Sequence, residues 1–121
     1  TDINVLAEPV RYDELNSKLI SLKGDIALLS AKKPNETVNE FKLNLINKML
    51  AQINDLIKEF KPENDFEAFD LDVLPTNSDV LMMLNLYSNG MRRFKDANSI
   101  ENSKMDEWNT KFTSKVWNIE D

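Results

Sequence analysis

Six carboxylates fall between Lys61 and Arg92, at Glu63, Asp65, Glu67, Asp70, Asp72 and Asp79, with no Lys or Arg among them. They account for the whole net charge of −6, because elsewhere the 15 Lys and Arg face an equal number of acids. Grouped carboxylates can ligate a divalent cation, act as general acid and base, or meet a basic protein surface. The spacing decides among these.

A calcium loop places oxygens at positions 1, 3, 5, 7, 9 and 12 around a Gly at position 6. Counted from Asp70, position 5 is Leu74, position 6 is Pro75 and position 12 is Leu81, which defeats that reading. A carboxylate-bridged di-metal bundle needs Glu-x-x-His pairs on facing helices, and the chain contains no histidine. An all-carboxylate Mg²⁺ site, of the kind used by helical nucleotide hydrolases, needs acids one turn apart on the inward faces of two helices. The pairs Glu36/Glu40 and Asp55/Glu59 lie beside or at the end of an apolar stripe, where Lys42, Lys58 or Lys61 can balance them at helical spacing. Asp13 and Asp25 read the same way.

The absence of Cys and His also removes thiolate nucleophiles, imidazole bases, iron–sulfur clusters, zinc-thiolate sites and His-ligated haem. Ser, Thr, Tyr and Lys nucleophiles need a positioned base or a lowered pKa, and Ser17-Lys18 and Ser103-Lys104 are merely adjacent. The sequence therefore implies no cofactor, no metal and no catalytic residue. A pI near 4.7 argues against direct contact with nucleic acid or an anionic membrane, since both need a positive surface. No apolar run is long enough to span a bilayer, and Thr1-Asp2-Ile3-Asn4-Val5-Leu6 lacks the pattern of a signal peptide, so the expected location is the cytoplasm. The composition, rich in Asn and Lys and poor in Gly, matches AT-rich coding of the kind common in phages and low-GC bacteria.

The acids must be positioned by helices. Leu15, Leu19, Leu22, Ile26 and Leu29 recur at steps of 3 and 4, which predicts a helix over about 10–30 with Pro9 at its first turn and residues 1–9 as an arm. A second helix is expected over 36–60, capped by Asn35 or Thr37. Its apolar set, Phe41, Leu45, Ile46, Met49, Leu50, Ile53, Leu56, Ile57 and Phe60, is wide enough for two neighbours. Val80, Leu84, Tyr87, Met91 and Phe94 predict a third helix over 78–97, capped by Asn77 or Ser78 and weakest at Gly90. Met105, Trp108, Phe112, Val116 and Ile119 predict a fourth over 101–119, with Trp108 in the core and Trp117 off the stripe. Arg92, Arg93, Lys95 and Lys104 form a basic knot, read as a solvated face or a partner for the acids. Met82 and Met83 either widen the third helix's buried face or make an oligomer surface.

Four such stripes describe one all-α domain, a four-helix bundle with two antiparallel hairpins. Residues 61–77 do not fit a simple link. They lack helical periodicity, exceed the usual 2–8 residues between helices, and alternate Phe66, Phe69, Leu71, Val73 and Leu74 with Glu63, Asp65, Glu67, Asp70 and Asp72. Either the aromatics plug the bundle with the carboxylates outward, or the segment offers Phe anchors and a negative rim to a partner. The second version makes the protein a non-catalytic interaction module (an inhibitor, adaptor or regulator) that binds a basic protein surface through Glu63, Asp65, Phe66, Glu67, Phe69, Asp70 and Asp72 and an adjacent helix face. Two alternatives stand beside it: a nucleic-acid mimic that blocks a DNA- or RNA-binding protein, and the Mg²⁺-dependent nucleotide hydrolase. A homo-oligomer is compatible with each.

Overall fold

The computed structural model describes residues 3–101 and 115–117. It contains three long helices, α1 (Ile3–Lys32), α2 (Glu40–Ile57) and α3 (Asn77–Ala97), with a 3₁₀ turn over Lys58–Phe60. Two short strands, β1 (Ser99–Glu101) and β2 (Lys115–Trp117), pair antiparallel with Ile100 opposite Val116. Glu101 and Lys115–Trp117, within the span of the expected fourth helix, are therefore strand. The stretch between them, with Trp108 and Phe112, lies outside the described residues, so the described fold is a three-helix arrangement rather than a four-helix bundle.

α1 starts at Ile3, so Pro9 sits inside the helix rather than at its first turn. A proline there has no N–H to donate to the preceding turn. Tyr12, Leu15, Leu19 and Ile26 are buried, with Leu22 and Leu29 partly buried beside them. In α3 the expected stripe is reproduced: Val80, Leu84, Tyr87, Met91 and Phe94 are all buried. Met83 is half-buried against the core, whereas Met82 is exposed.

The caps shifted by a few residues. Asn39, not Asn35 or Thr37, caps α2 by accepting from the Lys42 N–H at 2.8 Å. Thr76 caps α3 by accepting from the Asp79 N–H at 3.2 Å. Thr37 is free for another role because the two pre-helical segments cross and pair. Thr37 bridges Thr76, the Val38 N–H donates to the Pro75 carbonyl at 2.9 Å, and the Asn77 N–H donates to the Glu36 carbonyl at 2.8 Å. Val38 is buried, and Asn77, only 3% exposed, donates its side-chain amide to the Lys33 carbonyl at 2.8 Å. A buried amide must find such a partner or carry its full desolvation cost.

These contacts fix the directions. The end of α1 meets the start of α3, while the Tyr12 and Phe94 rings stack at the other end, so α1 and α3 are antiparallel. Arg11 on α1 meets Asp55 on α2, so α1 and α2 are antiparallel as well. It follows that α2 and α3 run parallel. The chain leaving α2 must then retrace the helix, about 27 Å for 18 residues, before α3 can begin. That requirement explains the length of the connector, which crosses the side of the bundle as a strap over residues 61–76.

The turn into the strap explains Gly90. Lys58 leaves α2 with φ +48°, and the 3₁₀ turn after it lays the Phe60 carbonyl against α3. A Cβ at position 90 would stand 2.7 Å from that oxygen and 3.3 Å from Ile57 Cδ1. The glycine read as a weak point of α3 is where the backbone of the turn approaches the helix.

Candidate functional site

The strap lies against α2 and α3 because α2 offers it two amide side chains. Asn47 donates to the Phe69 carbonyl and accepts from the Phe69 N–H, both at 2.9 Å. It pairs with that peptide as a neighbouring strand would. Two turns further along the same edge of α2, Asn54 donates to the Glu67 carbonyl at 3.3 Å and accepts from the Tyr87 hydroxyl at 2.5 Å. Burial pushes the Tyr87 phenol above its ordinary value of 10.0.

Phe66 and Phe69 are the strap's inward side chains. Their rings meet edge to face at 5.0 Å between centroids, and Phe66 meets Tyr87 at 6.2 Å. Together with Leu71 and Leu74 they pack on the core. Of the two uses considered for these aromatics, the packing of the half-buried Phe66 and Phe69 against the core is that of plugs. Val73 points the other way and is 72% exposed.

The carboxylates Glu63, Asp65, Glu67, Asp70 and Asp72 are all exposed. Glu67 forms an ion pair with Lys61, whose largely buried side chain also donates to the Asn64 carbonyl at 3.4 Å. Asp70 accepts from the Asp72 N–H at 2.9 Å and shapes a tight turn there. Among the described residues, no ion pair engages Glu63, Asp65, Asp70 or Asp72. Four carboxylates are thus held on a fixed backbone, facing out.

Lys104 of the basic knot lies outside the described residues, and its other three members do not pair with these acids. The Arg93 guanidinium lies 5.7 Å from the Phe60 ring centroid and the Lys95 ammonium 5.6 Å from that of Tyr12, close enough for cation–π attraction. Arg92 donates to the Asn89 side chain at 3.2 Å. Of the acid pairs weighed for a metal, Glu36 meets Lys33 at 3.5 Å, and Asp55 reaches across to Arg11 at 2.8 Å instead of pairing along its own helix. The Arg11 hydrogen bond holds the Asp55 carboxyl below the usual carboxylate range. Among the described residues, no three potential ligands converge to hold a metal ion, and no helix is long and apolar enough to cross a membrane.

Sequence reasoning missed Asn47, Asn54 and Lys61. The available signal was two amides at a spacing of seven, on the margin of an otherwise apolar face, followed by a lysine at the start of an acidic run. Compared with models of protein families, with curated proteins and with solved structures, the chain matches none of them.

Proposed function

We propose that the chain is a non-catalytic interaction module, acting as inhibitor, adaptor or regulator, that meets a basic protein surface through the outer edge of the strap and the adjoining start of α3. The observation that carries this reading is the outward display of Glu63, Asp65, Asp70 and Asp72, none of them in an ion pair among the described residues. Their backbone is fixed by Asn47, Asn54 and the inward Phe66 and Phe69, and Asp79 extends the same charge onto α3. A preformed acidic edge costs little ordering on binding and steers a basic partner toward it.

The structure also selects the variant that tests this. Truncating Phe66 or Phe69 would disturb the core, so the charges are changed alone: Glu63, Asp65, Asp70 and Asp72 to Lys. Capture of partners from an extract of the cells that express the protein should be lost in this variant, and capture by the native chain should weaken as salt rises. Unchanged capture at unchanged melting temperature sinks the reading. If Mg²⁺ with a nucleotide instead raised the melting temperature of the native chain, mass action would favour the hydrolase.

A further inference from the structure

We propose that the groove between α1 and α2 is a second docking surface, on the opposite flank from the strap, and that it takes an amphipathic helix whose apolar stripe is flanked by acids. At about 100° per residue, Asn47 and Asn54 lie on one edge of α2's inward face, while Leu45, Lys48 and Gln52 lie on the other. On that second edge the two helices enclose a groove of about 410 Å³ with Leu22, Leu45 and Met49 as its floor and Lys18 and Lys48 on its rims. It continues past Lys18 and Gln52 into a recess of about 240 Å³ that Glu14 and Arg11 line, and the Arg11–Asp55 ion pair lies at that end. From Arg11 to Leu22 the groove follows about three turns of α1.

Shape and charge together name the occupant. An apolar channel between two antiparallel helices, open along its length, accepts a third helix through side chains at i, i+3 or i+4, and i+7. Leu45 is 42% exposed, and Phe41, one turn before it, is 73% exposed, so apolar area is left for that stripe to cover. Neither Lys18 nor Lys48 forms an ion pair among the described residues. Two lysines, one from each helix, lining the same apolar groove attract a helix with Glu on both shoulders and repel one with Lys there. The acids near the groove lie at its Arg11 end, where Glu14 lines the recess and Asp55 is paired with Arg11, whereas the stretch with Lys18 and Lys48 is lined by no carboxylate.

The test uses the full chain and two fluorescent fourteen-residue helical peptides with the same Leu stripe, one flanked by Glu and one by Lys. The Glu-flanked peptide should bind at least tenfold more tightly, and the preference should shrink as salt rises. In Lys18→Glu/Lys48→Glu the preference should invert, and Leu45→Asp should weaken binding at least tenfold without lowering the melting temperature. Equal binding of the two peptides, no binding of either, or full binding to Leu45→Asp overturns the proposal. So does self-association abolished by Leu45→Asp while the peptides fail to bind, since the groove then belongs to a second copy.

Discussion

The two edges of α2 begin alike in sequence and end differently. On one, Asn47 and Asn54 bond the backbone of the strap; on the other, Phe41 and Leu45 are exposed, and Leu45 lines a groove with Lys18 and Lys48. The contrast shows that apolar width predicts how much surface a helix has to bury without saying what buries it. Hydrogen-bonding side chains at the margin distinguish the edges. An amide on the strap side pairs with a peptide group and so recruits backbone, whereas an ammonium on the groove side calls for an anion.

The largest expected effect lies beneath both edges. Ile53 is fully buried, and Ile53→Ala should cost about 2–5 kcal/mol in denaturant unfolding, from lost transfer energy and the cavity left behind. A cost below about 1 kcal/mol would mean that the face common to the two flanks is not the core.

Next comes the strap itself. Asn47→Ala strips a donor and an acceptor from one half-buried peptide, and leaving such groups unpaired costs about 1–3 kcal/mol. Asn47→Asp keeps an acceptor for the Phe69 N–H but sets a carboxylate against the Phe69 carbonyl, so it should not restore stability. Hydrogen exchange at the Phe69 amide reads the same event locally: protection should fall in Asn47→Ala, which removes its acceptor.

The two glycines sharpen the comparison in opposite directions. Helix propensity alone makes either Gly→Ala favourable by about 1 kcal/mol. At Gly24 nothing lies within 4 Å of the new Cβ, so the gain should appear in full as a higher melting temperature. At Gly90 the methyl meets the Phe60 carbonyl at 2.7 Å, and overpacking of this kind costs about 1–3 kcal/mol, which outweighs propensity. Gly90→Ala should therefore destabilise, and should loosen the turn that launches the strap.

These residues also mark where the sequence was legible. Each stripe in α1 and α3 could be read because 3.6-residue periodicity is a local property, and Val80, Leu84, Tyr87, Met91 and Phe94 fell where it put them. Gly90 was misread because its reason is a carbonyl thirty positions away, in a turn whose direction depends on Lys58. The strap's excess length and inward aromatics were visible, but the parallel course of α2 and α3 that requires them was not, since it follows from pairing between residues 34–38 and 75–78. Of the site, the acids were legible as a charge imbalance; their fixed presentation was not, because it depends on Asn47, Asn54 and Lys61, which no charge pattern singles out.

The smallest expected effect is the most discriminating. Leu45→Ala removes apolar volume from the same helix as Ile53→Ala, yet from the edge that no segment among the described residues covers, and partly exposed positions of this kind usually change stability by less than about 0.5 kcal/mol. Stability should be nearly unchanged, while the affinity for a Glu-flanked helix should fall. A loss of 2 kcal/mol or more in the unliganded chain would show that the groove edge is already buried, so that both flanks of α2 are internal. Silence in stability together with a loss in binding separates a surface kept for another molecule from one the fold uses itself.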